Sequence, residues 1–209
     1  MSRRPIRSRL PARTAVLAAL ALLPALARPA ALELRVLDAT GKALPDAVVF
    51  LESAEARAAV KPGAQVDIAQ VNKQFDPVVS VVPVGTAVNF PNRDTVRHHV
   101  YSFSPARKFE IKLYVGTPAA PVVFDQPGIA VLGCNIHDQM AAWVVVVATP
   151  WYGKTAADGQ LRIAQVPAGS YRLRSWHAAM PVGAPPADQA LVVGSAPMQV
   201  ALRLAVAAP

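Results

Sequence analysis

The sequence predicts an all-β protein built from β-sandwiches, and three observations carry that prediction. Short segments rich in Val, Ile and aromatics recur from residue 32 to residue 206. Gly, Pro, Asn and Asp punctuate them at intervals suited to sandwich strands. The 20 prolines leave no stretch with a convincing helical period. In order, the segments are LELRVLD (32–38), DAVVFLE (46–52), AQVDIAQ (64–70), VVSVVP (78–83) and TAVNFPN (86–92). Then come VRHHVYSF (96–103), FEIKLYV (109–115), PVVFD (121–125), GIAVLGC (128–134) and AWVVVVA (142–148). The last four are QLRIAQV (160–166), SYRLRSWH (170–177), QALVVG (189–194) and MQVALRLAV (198–206). The run TPWYGKTAADG breaks the pattern near Thr149 and marks a boundary. The tail from 150 to 209 then offers about four strands, a small core to stand alone. The first strands, within 32–59, either join that tail in a second sandwich interrupted by an inserted domain over 60–149, or edge the central sandwich.

Residues 1–31 read as an export signal. Arg3, Arg4, Arg7, Arg9 and Arg13 precede the apolar stretch TAVLAALALLPALA, and cleavage is expected between Ala27 and Ala31. The stretch is interrupted by Pro24 and is well short of the roughly 20 residues of a membrane span, so it is read as removed rather than as an anchor. SRRPIR has a twin-arginine look, but the distance to Thr14 favours the general secretory route to the periplasm. Six arginines lie before Leu32 and no acid does, so the formal charge of +8 falls to 15 basic against 13 acidic residues beyond it. No dense Lys/Arg run survives, and nucleic acid drops out as a partner.

Cys134 is the one cysteine in the chain, and an exported protein exposes a free thiol to oxidation unless it is buried, reactive or bound to a metal. Its neighbours point to metal. Cys134, His137 and Met140 form CxxHxxM in the turn between two predicted strands, where a loop can fold three donors around one ion. Thiolate, imidazole and thioether suit copper rather than the oxygen-seeking calcium or magnesium. A structural zinc site would more typically show several cysteines. A second imidazole is available from His98 or His99, 36 or 35 residues upstream of the cysteine. One thiolate, two imidazoles and a distant thioether are the donor set of electron-transferring copper. A Cys-His nucleophile pair is the poorer alternative, because no spaced Asn or Asp stands ready to orient the imidazole.

Over roughly 60–148 the chain resembles the cupredoxins, the blue copper proteins of the plastocyanin and amicyanin type. The resemblance runs through FDPVVSVVPVGTAVNFPNRD, with Gly85, Val88, Phe90 and Asn92, then RHHVYSF, then FDQPGIAVLGCNIHDQM and the closing AAWVVVV. It implies a Greek-key β-sandwich holding one type 1 copper ion on His98, Cys134, His137 and Met140, in a non-enzymatic carrier of single electrons between redox partner proteins. His99 stands where the family carries Asn; it is either a group beside the site or, with the strand shifted by one, the ligand itself. Gln139 is the alternative axial donor to Met140. Asp138 and Gln139 replace the usual apolar residues around the exposed histidine, which implies a polar docking surface. The flanks VLDATGKALPDAVVFLE and TAADGQLRIAQVPAGSYRLRSWH resemble the transthyretin-like module of carboxypeptidase regulatory domains, an immunoglobulin-like second sandwich. The whole resembles exported bacterial proteins of the methylamine-utilisation type.

Outside the metal loop the readings are plainer. His177 caps or packs beside Trp176, and Trp143 is core. Arg107, Lys108 and Lys112 are a solvated face or a surface that steers an acidic redox partner. The same ligands could instead deliver or store copper, or the loop could be vestigial in a metal-free interaction module. Oligomeric state, donor and acceptor are left open.

Overall fold

The computed structural model describes residues 29–207. The export signal lies outside the described residues apart from its last three, of which Ala30 and Ala31 open the first strand. The elements are β1 (Ala30–Leu37), β2 (Val48–Glu52), α1 (Ala54–Ala59), β3 (Val66–Asp67), β4 (Ala69–Val71), β5 (Gln74–Asp76), β6 (Val79–Pro83) and β7 (Thr86–Asn89). They continue with β8 (His98–Ser104), β9 (Arg107–Tyr114), β10 (Val122–Phe124), β11 (Gly128–Gly133), β12 (Ala141–Val147), β13 (Tyr152–Lys154), β14 (Gln160–Val166), β15 (Gly169–Trp176), β16 (Ala187–Val193) and β17 (Met198–Arg203).

Four sheets stack with three apolar layers between them. The outermost, β10-β7-β3, covers the five-stranded sheet β6-β12-β11-β8-β9. Val88, Phe124, Val100, Leu132 and Val144 fill the layer between them, along with Cys134 and Met140. On the far side lies β13-β2-β15-β16, and beyond it β14-β1-β17. Leu34, Val36, Val49, Leu51, Ile163, Leu173 and Leu202 fill that last layer. The middle layer joins the two sandwiches through Val48, Phe50, Val79, Val145, Val147 and Trp176.

The two sheets that meet there are apolar on both faces, and their sequences say why. In β12, Ala142, Val144 and Val146 face the Cys134 layer while Val145 and Val147 face the flanking sandwich. In β2, Val49 and Leu51 point one way and Val48 and Phe50 the other. Neither strand alternates apolar with polar, because neither has a wet face.

β1 pairs antiparallel with β14 and parallel with β17, so the first strand of the described chain sits between two of the last. β2 pairs with β13 and β15. Thr155 ties the segments further: Ala47 N–H donates to its Oγ1 at 2.9 Å, and that hydroxyl donates to Leu44 O at 2.7 Å. The Asp158-Gly159 turn packs against β1, where Val36 N–H donates to Gly159 O at 2.8 Å. A Cβ on Gly159, at φ +72°, would lie 2.6 Å from Val36 O, so no larger residue fits.

Three elements were not expected. β5 and β13 have three residues each, too few for a pattern to register. The six-residue α1 begins at Ser53, whose Oγ accepts from Ala56 N–H at 3.0 Å, and its Ala-rich run is too short to show a period.

Just past β15, His177 is buried; Ala179 N–H donates to its Nδ1 at 3.1 Å. Burial holds its imidazole below the ordinary histidine range, opposed in part by the backbone of Pro45 and the charge of Asp46. The unfolded chain therefore takes up a proton more readily, near pH 6.5, and the folded state loses stability as pH falls through that value. The urea midpoint of His177→Gln is expected to fall less between about pH 7.5 and 5.5 than that of the unaltered protein.

Candidate metal centre

Strand alternation aims the first donor. Along β8, His98, Val100 and Ser102 face inward and are fully buried, while Phe103 on the other face is 73% exposed. Along β11, Leu132 and then Cys134, just past the strand end, face the same layer. Gly133 between them pairs with Tyr101 of β8, and a Cβ there would meet the Tyr101 ring at 2.7 Å. Only glycine lets the tyrosine lie against the backbone that presents the sulfur.

The loop from Cys134 to Met140 supplies the rest. Met140 N–H donates to His137 O at 2.9 Å, closing the turn. Met140 is buried and lines the same hollow as Cys134, whereas Gln139 is exposed. His137 is half-buried, and Asn135, Ile136 and Asp138 around it are exposed.

Cys134 Sγ lies 3.9 Å from His98 Nδ1 and 3.8 Å from His137 Nδ1. The three donor atoms all fall within 4.8 Å of one another. Bonds of about 2.3 Å to sulfur and about 2.0 Å to nitrogen would separate S and N by about 3.7 Å in a trigonal plane and about 3.5 Å at the tetrahedral angle. The observed spacings sit nearer the trigonal value. A soft thiolate with two imidazoles, and a thioether buried in the same layer as the sulfur, fits copper.

The far side of His98 is anchored as firmly. Its Nε2 lies 2.8 Å from Asp94 Oδ2, which leaves Nδ1, the nitrogen facing Cys134, free to carry its lone pair inward. Asp94 also accepts from Asn72 N–H at 2.7 Å and Lys73 N–H at 2.8 Å. Those amides converge because Asn72 and Lys73 both have left-handed backbones, φ 53° and 57°, in the type I′ turn joining β4 to β5. Burial pushes the Asp94 carboxyl upward, but the amides and His98 outweigh it and hold the group below the usual carboxylate range. Asn92 braces the loop: it accepts from Asp94 N–H at 2.9 Å, and its Nδ2 donates to Val96 O and Tyr114 O at 2.8 and 3.0 Å. Tyr114 Oη lies 2.7 Å from both Gln70 Oε1 and Phe90 O, and burial raises its phenol.

Of the residues singled out in the sequence, His98, Cys134 and His137 bring their donor atoms together, and Met140 is buried in the same apolar layer as Cys134. His99 points the other way, with Nε2 3.1 Å from Glu110 Oε1 and its ring edge against Tyr101. Lys108 and Lys112 are exposed on β9, and Arg107 there pairs with Asp125 at 3.2 Å. Trp143 is half-buried, in the layer between the sandwiches rather than in the core around Cys134. Asp94 and the Asn72-Lys73 turn were not read from the sequence. An acid four residues before the buried histidine and a two-residue turn between short apolar segments were the available signals.

No family model matches the sequence, and no curated protein matches it either. Among solved structures, a copper-containing nitrite reductase from Thermus scotoductus SA-01 shares 26% identity over 40% of this chain, with TM-score 0.37; the match spans about a fifth of the reductase, 22%. A purple cupredoxin from Nitrosopumilus maritimus shares 25% over 41% of this chain and 100% of its own, with TM-score 0.35. A single-site variant of amicyanin in its reduced state shares 26% over 49% of this chain and 99% of its own, with TM-score 0.36. What the site can do follows from its own atoms.

Replacing Asp94 with Ala leaves the buried His98 Nε2 without its acceptor, and a lower urea midpoint is expected, equivalent to about 1–3 kcal/mol. Because the carboxyl is held below its ordinary range, that loss is fully present at neutral pH. It shrinks as acid protonates Asp94 in the unaltered protein.

Proposed function

We propose that this chain is an exported type 1 copper protein of the cupredoxin kind that carries single electrons between redox proteins in the periplasm. The convergence of His98 Nδ1, His137 Nδ1 and Cys134 Sγ to within 4.8 Å of one another is the observation that carries this reading. Met140, buried in the same apolar layer as Cys134 while Gln139 is exposed, is the axial donor in this reading. Copper, when bound, supplies a one-electron couple; the remaining work belongs to the chain. Asp94 fixes the ring of His98, and the turn at 137–140 fixes the loop, so the donors keep their places when the charge between them changes. The apolar layer formed by Phe90, Leu132, Val144 and their neighbours keeps water from the sulfur. His137, half-exposed among Asn135, Ile136 and Asp138, is the ring through which an electron passes to a docked partner. The basic leader over residues 1–31 supports the periplasmic location.

Adding Cu(II) to the purified protein is expected to produce a strong thiolate-to-copper band in the visible spectrum. Cys134→Ser, His98→Ala and His137→Ala each abolish it, His99→Ala and Gln139→Ala retain it, and Met140→Ala shifts it. A colourless protein that takes up Cu(I) loosely, without a reversible couple at an electrode, would make it a copper-delivery protein instead.

A further inference from the structure

The two sandwiches do not close completely where they meet. Beside the middle apolar layer a cleft of about 690 Å³ remains, within the size range of small-molecule sites and at the kind of junction where they occur. Its floor is aromatic: Trp143 and Trp176, with ring centroids 6.3 Å apart, and Phe50. Trp143 stays half-buried although Val145 and Val147, on the same face of the strand, are sealed. One wall is the segment MPVGAPP over 180–186, whose three prolines hold it in shape without a partner strand.

The rim is cationic. Arg57, Arg172 and Arg174 line the cleft against a single acid, Glu52. Glu52 Oε2 is already engaged by Arg174 Nη1 at 3.1 Å, and Arg172 reaches out to Asp188. Arg57 is exposed, and its side chain has no partner among the described residues. A flat apolar ring matches the indoles, and a carboxylate matches the guanidinium groups, which recognise it through paired N–H donors. A cation would meet its own sign.

From this we propose that the cleft binds a planar aromatic carboxylate. The site is not isolated from the candidate metal centre, because Ile129 and Val131 of β11 border the cleft and the same strand runs on to Gly133, next to Cys134. Ser104, Val131 and Val182 line both this cleft and the hollow over the sulfur. Binding itself needs no metal, so it is tested separately from the copper reading.

The test titrates the full chain, with and without copper, with 2-naphthoate while tryptophan fluorescence is read. Saturable quenching is expected, reduced in Trp143→Phe and kept in Trp151→Phe. The double variant Arg57→Gln/Arg172→Gln weakens 2-naphthoate roughly tenfold and leaves the neutral 2-naphthalenemethanol unchanged. Ala184→Trp, which fills the cleft from its wall, abolishes binding of both. Quenching that does not saturate, undiminished binding to Ala184→Trp, or equal affinity of the unaltered protein for the acid and the alcohol overturns the proposal. Should Ala184→Trp not fold, the arginine double variant, confined to two exposed positions, decides alone: unchanged 2-naphthoate affinity overturns it.

Discussion

An imidazole sealed in an apolar layer must hydrogen-bond or destabilise what surrounds it. His98 meets that constraint through Asp94, and much of the local architecture serves the pairing. The β4–β5 hairpin turns two amides toward the carboxylate, Asn92 ties the intervening loop to β9, and the β8 pleat points the opposite ring nitrogen toward Cys134. A hairpin, a loop and a strand thus fix one nitrogen atom. The cost of ordering them falls on folding, so the position of that nitrogen is set by the chain itself.

The other donors come from a tight loop whose ends belong to adjacent antiparallel strands. β11 and β12 pair across six residues, from Gly128 opposite Val146 to Gly133 opposite Ala141. β12 is held from both sides, by the Cys134 layer and by the flanking sandwich. Through β12 the second sandwich therefore stiffens the site without contributing a ligand. Lys154 of β13 adds to that junction, reaching Val79 O of the central sheet at 3.2 Å while paired with Asp46 at 2.7 Å.

Much of this was legible in the sequence, and for identifiable reasons. Cys134, His137 and Met140 are close in the chain, so their grouping needed no tertiary information. His98 over His99 was implied by the cupredoxin resemblance, and period-2 alternation, which is robust where one face is buried, agreed with it. The strands of the central sheet were visible because they are long and apolar. The stacking of the two sandwiches was not read, although VVFL in β2 and WVVVV in β12 already lacked the alternation of a one-sided strand. Asp94 escaped notice because its role depends on amides from a hairpin some twenty residues earlier. No local pattern encodes that meeting, and the same holds for the cleft, whose rim and floor come from α1, β12, β15 and the proline segment.

The order of the strands has a consequence for how the chain matures. β1 and β2 are the first strands of the sequence, yet their neighbours β13, β14, β15 and β17 come after everything that encloses Cys134. A folding chain can thus complete the sandwich around Cys134 while two of its most apolar strands still lack mates, since partners over a hundred residues distant must close around them. A truncation before β17 would take away one of the two partners of β1 and leave that strand at the edge of its sheet.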